Sequence, residues 1–148
     1  MNFDGCSKVR TDRTISVKER GRSFAIDNPE RESVLCIVVD GCLIEGEEKR
    51  CDHLFEIGDL PRCALFVELK GADVGEAAEQ LISTMNSLHM RHKQLLRVCY
   101  IVASRVPRAG PKVQGLKLEM RRRHSAFLYV STTYAKVRID RPPYNSDA

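Results

Sequence analysis

The chain has 148 residues, 43% hydrophobic and 30% charged, with a formal net charge of +4 and a pI near 8.8. This describes one globular domain with a sizeable core and excludes a chain that is disordered throughout. No apolar run approaches the ~20 residues a membrane span needs and the first residues are too polar for a signal peptide, so the expected location is cytoplasmic.

Residues 1–28 are polar and basic and read as an N-terminal extension. Alternation over Thr14–Lys18 and around Phe24–Ile26, with Gly21 between, predicts a short hairpin or edge strand. Asn28-Pro29-Glu30-Arg31-Glu32 offers a capping residue, a proline suited to the first helical position and acids suited to the first turn, which predicts a short helix. The β-branched run Val34–Val39 predicts a buried strand, and Asp40-Gly41 marks a turn or bulge before Cys42-Leu43-Ile44.

The charged loop Glu45–Arg50 then leads to a strand over Cys51–Ile57, a turn at Gly58–Arg62 and a strand over Cys63–Lys70. Closely spaced strands joined by short polar loops predict an antiparallel meander. Asp73 three residues before Glu76 is a variant capping box, and Ala77, Ala78, Leu81, Ile82, Met85 and Leu88 follow at helical spacing, predicting a helix over 74–89. The apolar run Arg97–Ala103 makes a strand–helix–strand unit, which implies a right-handed parallel crossover and a mixed sheet.

A basic loop over Arg105–Pro111 precedes a second helix over Val113–Arg123, weakened by Gly115. Ala126–Val130 and Tyr134–Ile139 read as final strands, and Pro142-Pro143 ends regular structure ahead of a tail over 141–148. The fold class is therefore α/β (α+β): a single domain over residues 29–140 with a central mixed sheet, flanking helices and additional strands at both ends.

Six cysteines, at 6, 36, 42, 51, 63 and 99, form no CxxC pair, and several sit in strand-like runs, so buried reduced thiols are expected. Cys51, Asp52, His53 and Cys63 make a weak zinc set, because successive strand residues point to opposite faces. His53, His89, His92 and His124 are scattered and read as surface or satisfied core side chains. No GxGxxG, P-loop or Ser/His/Asp arrangement is present.

The most informative stretch is Phe66-Val67-Glu68-Leu69-Lys70-Gly71. In a strand Glu68 and Lys70 share one face, so an apolar run carries two charges where a buried ion pair is costly. Asp52 begins one strand and Glu68 lies near the end of the next; if those strands are antiparallel neighbours, the two carboxylates can converge within the span of a cation. Hard ions such as Mg²⁺ (or Mn²⁺) take carboxylate oxygens and retain waters, the chemistry needed to cut a phosphodiester. An ammonium at Lys70 can acidify the attacking water or offset charge on phosphorus. The plain alternatives are a cross-strand surface pair for Glu68 and Lys70, a loop-end carboxylate for Asp52 and a solvated helix residue for Gln80.

Asp52, a turn, Glu68-Leu69-Lys70 and a helix carrying Gln80 together resemble the PD-(D/E)xK nuclease superfamily, the restriction-endonuclease-like fold. The resemblance covers roughly residues 29–103, with Cys51 where the motif's name has proline. It implies an αβββαβ core, metal held by Asp52 and Glu68, Lys70 serving the nucleophile, Gln80 pointing at the same site, and an acid on the first helix, here Glu32 or Glu30. Arg105, Arg108, Lys112, Arg121, Arg122 and Arg123 are expected to contact phosphates, although a solvated basic helix face explains any one cluster equally well. The expectation is a Mg²⁺-dependent nuclease of DNA, less readily RNA, in phage defence, mobile-element biology or repair. The rival expectation is a catalytically silent module that binds nucleic acid or a protein partner, with a homodimer open in either case.

Overall fold

The computed structural model describes residues 1–70, 73–105 and 111–140. The expected tail, with Pro142-Pro143, and Arg108 lie outside the described residues. In chain order the elements are α1 (Phe3–Cys6), β1 (Ser7–Arg10), β2 (Thr14–Glu19), β3 (Arg22–Asp27), β4 (Val34–Val38), β5 (His53–Ile57), β6 (Cys63–Lys70), α2 (Val74–Ser87), β7 (Leu96–Ala103), α3 (Pro111–His124), β8 (Ala126–Thr132) and β9 (Tyr134–Arg138).

A six-stranded sheet runs β1-β4-β5-β6-β7-β8, and a three-stranded sheet runs β2-β3-β9. The meander β4-β5-β6 is antiparallel, while β6, β7 and β8 are parallel, with α2 and α3 in the connections. The fold is thus α/β with mixed sheets in one domain. Strand alternation divides the core in two. Leu54, Ala64, Phe66, Cys99 and Ile101 pack with Ala77, Leu81 and Met85 of α2 and Met120 of α3. Phe55, Leu65, Val67, Val98 and Tyr100 face Ile15, Phe24, Ile26, Ala135 and Val137 of the small sheet. Strands covered on both faces bury the side chains from Cys63 to Leu69 in β6 and from Val98 to Ala103 in β7, which is why these stretches read as largely apolar.

Local signals explain two of these features. Asp73 caps α2 by accepting the Glu76 N–H at 2.9 Å. Arg20 and Gly21 take positive φ of 47° and 80°, the conformation that joins β2 to β3 in a tight hairpin.

The turn marked by Asp40-Gly41 continues through Ile44, with the Leu43 N–H reaching Val38 O and the Ile44 N–H reaching Val39 O. The structure corrects three expectations. No helix forms at 28–32: the Asn28 side chain donates to the Asp12 and Glu32 carbonyls and accepts the Glu32 N–H, closing a loop, and Arg31 takes a φ of 51° that no helix continues. Cys6 and Cys42 form a disulfide, while Cys36, Cys51, Cys63 and Cys99 are free. Glu30 and Glu32 lie away from Glu68: Val34 pairs with Ile57 at the opposite end of the meander, where Glu32 is ion-paired with Arg62.

Candidate acid-pair site at the end of the meander

The register sets the site. His53 pairs with Val67, so Asp52, one residue ahead of β5, stands opposite Glu68, one residue further along β6. Three backbone–backbone hydrogen bonds and one from the backbone to a side chain fix that position. The Asp52 N–H donates to Val67 O at 3.2 Å, and its carbonyl accepts the N–H groups of Val39 and Asp40 at 3.0 and 3.4 Å. The preceding Cys51 N–H donates to Thr84 Oγ1 of α2 at 2.8 Å.

Side chains then converge. Asp52 Oδ2 accepts the Leu69 N–H at 2.9 Å, and the Glu68 carboxyl lies near enough to influence the ionisation of Asp52. Burial pushes the Asp52 carboxyl above its ordinary value, against the pull of the Leu69 N–H; the Glu19 carboxylate at the tip of β2 pushes the same way. Glu68 is 3% exposed and shares its strand face with Ala64 and Phe66, beneath α2. His53 is turned to the other face, stacked on Phe55, and burial holds its imidazole below the ordinary value.

Lys70 ends β6 and pairs with Ala103 in the backbone ladder, which puts it at the same end as Glu68. Gln80 lies on α2, half-buried, along a cleft of about 220 Å³ that Asp40, Lys49 and Arg50 also line. Its backbone carbonyl accepts the Thr84 hydroxyl, so Thr84 links the turn of α2 bearing Gln80 to the residue before Asp52. Gln80 Oε1 is buried and has no hydrogen-bond partner among the described residues.

The basic residues are divided between two ends of the molecule. Arg105 follows β7 at the acid-pair end, and the Lys112 ammonium packs against Gly75 at the start of α2. Arg121, Arg122 and Arg123 occupy the last turn of α3 at the other end, where Arg97 donates to the His124 carbonyl. Arg97 pairs with Ala64, four residues before Glu68 and so roughly 13 Å along the strand. Exposed Glu45, Glu47 and Glu48 add negative charge at the acid-pair end.

The donor set suits a hard divalent ion. Two carboxyls brought side by side by the strand register offer oxygens that a cation could take, and Mg²⁺ is held by one or two carboxylates with water completing its shell. Among the described residues no group of three or more His, Cys, Asp or Glu side chains could hold a metal ion, so the weak zinc set does not assemble. Cys51 is buried on the helix face and Cys63 on the opposite one.

Sequence reasoning missed three contributors: Glu19, whose hairpin tip is brought over by the second sheet; Thr84, a mid-helix residue with no motif; and the turn at 39–44. Only the last carried a signal, in Asp40-Gly41. Comparisons with protein-family models, with curated proteins and with solved structures find no match.

Proposed function

We propose that the chain is a divalent-cation-dependent nuclease, acting on DNA in preference to RNA, in the cytoplasm. The observation that supports this is the register that stands Asp52 opposite Glu68 at the end of an antiparallel strand pair, with burial raising the Asp52 carboxyl above its ordinary value. Mg²⁺ or Mn²⁺ between these carboxylates would supply Lewis-acid stabilisation of charge on the phosphate and a more acidic attacking water. Asp52 and Glu68 hold the ion in this reading, Lys70 orients or deprotonates the nucleophile, and Gln80 bounds the site from α2. Arg105 and Lys112, at the same end of the molecule, would contact the phosphate backbone in this reading.

The division of charge favours a second reading, a nucleic-acid-binding module without cleavage, in which Arg121–Arg123 do the binding and the acid pair is silent. One experiment separates the two. A labelled duplex and a single strand are incubated with the chain and Mg²⁺ or Mn²⁺, alongside Glu68→Ala and Lys70→Ala. Cleavage by the wild type that both substitutions abolish, with duplex binding retained, supports the nuclease. Absence of cleavage with either ion, together with no calorimetric heat of Mn²⁺ binding, sinks it in favour of the module.

A further inference from the structure

The Cys6–Cys42 disulfide joins α1 to the turn that carries Asp52's backbone partners. That turn is closed by the Cys42 N–H on Val39 O, the Ile44 N–H on Val39 O and the Gly41 N–H on Ile44 O. From it the Val39 and Asp40 N–H groups reach the Asp52 carbonyl, and Arg50 bonds the Asp40 carboxylate at 2.8 Å. α1 is anchored in turn by Phe3, whose ring lies 3.8 Å beneath the Arg91 guanidinium. Both cysteines line a cleft of about 460 Å³ together with Asn2, Gly41 and Glu45, and Cys42 is half-exposed, which is the side from which a small thiol would approach.

We propose that the Cys6–Cys42 disulfide is a thiol-sensitive clamp on Asp52. Closed, it holds the turn at 39–44 against the strand entrance; opened, it releases one side of the acid pair. Opening is a two-electron exchange. A thiolate of a dithiol reductant attacks one sulfur, the Cys6–Cys42 bond breaks as a mixed disulfide forms, and the second thiol displaces it. The reductant leaves as its disulfide, and the chain gains two protons as two thiols. The structural part stands alone, and only the consequence for cation binding rests on the acid-pair reading.

The test compares the oxidised chain with the chain reduced by a dithiol, in the presence of a chelator. Alkylation followed by mass measurement counts thiols, and amide hydrogen exchange reports on the Leu69 N–H, which Asp52 Oδ2 accepts. Reduction should add two alkylation sites and speed Leu69 exchange about tenfold or more, with Ala126–Thr132 unchanged. Cys42→Ala should exchange fast without reductant and no longer respond to it; should that variant fail to fold, the reduced wild type decides alone. Equal Leu69 exchange in both states, or six alkylatable thiols before reduction, overturns the clamp. Since no metal or substrate enters this measurement, a chain that proves not to be a nuclease leaves the result intact. A clamp that fails leaves the nuclease reading to its own assay.

Discussion

The Asp52 carboxylate accepts the backbone N–H of Leu69 at 2.9 Å, taking the place of a ladder partner where β6 runs on past the start of β5. The same residue stands opposite Glu68, so one residue both finishes the sheet and builds the acid pair. An asparagine would keep the acceptor and lose the charge.

From this it follows that Asp52→Asn should stabilise the fold and, on the proposed reading, abolish cation binding. The folded chain binds the Asp52 proton more tightly than the unfolded chain does, so this group favours folding most below the ordinary carboxylate range. That contribution is lost as pH rises through the raised folded value. At neutral pH the variant should gain about 0.5–2 kcal/mol, and the gain should shrink toward acid pH. Thermal unfolding across pH measures it, and calorimetry with Mn²⁺ should show binding in the wild type alone.

Glu56 predicts the opposite pH behaviour at the far end of β5. It is 2% exposed, and Arg91 bonds it through Nε and Nη2 while His92 Nε2 lies 2.5 Å from Oε2. Burial alone would raise the carboxyl, but the His92 and Arg91 hydrogen bonds outweigh it and bring the group from 4.5 to about 2. Its stabilisation is therefore complete above the ordinary value and is lost as pH falls from 4.5 toward about 2. Glu56→Gln should cost about 3–5 kcal/mol at neutral pH and flatten that acid limb, as read from denaturant midpoints.

Thr84→Val keeps the shape of a side chain with no exposure and removes its hydroxyl. The Cys51 N–H then loses its acceptor inside the core, at a cost of about 1–3 kcal/mol. Weakened Mn²⁺ binding at a temperature where the variant is still fully folded would show that Thr84 positions Asp52; unchanged binding would confine it to stability.

Replacing Arg121, Arg122 and Arg123 together by alanine tests the remote basic end. Fluorescence anisotropy with a labelled duplex in chelator should show weaker binding. The slope of log affinity against log salt should drop by about 0.9 for each phosphate that the variant no longer neutralises. Unchanged affinity would return these residues to their simplest role, favourable charge at a helix C-terminus.

Much of the large sheet was legible because its signals are local. The apolar runs Val34–Val39, Cys63–Lys70 and Arg97–Ala103, the turn residues between them and the Asp73 cap each point to one element. The convergence of Asp52 with Glu68 followed from the meander register. What escaped depends on contacts distant in sequence. β1 is a short polar edge strand whose place is fixed by pairing with β4, and the helix signal at Asn28 was redirected by the Asp12 and Glu32 carbonyls. The Cys6–Cys42 pairing spans 36 residues and follows from where β1 docks. Glu56, Arg91 and His92 carry no spacing that announces a buried cluster.

The parallel pairing of β3 with β9 has a bearing on how the chain folds. β3 joins β2 through a two-residue turn, but its second neighbour is residues 134–138, separated from it by most of the chain. Ala135, Val137 and Ile139 complete the cover over Phe55, Leu65, Val67 and Tyr100, so local contacts alone leave that face of the large sheet unfinished. Parallel pairing across so long a stretch carries a high loop-closure cost, and closing the small sheet is expected to be among the slower steps of folding.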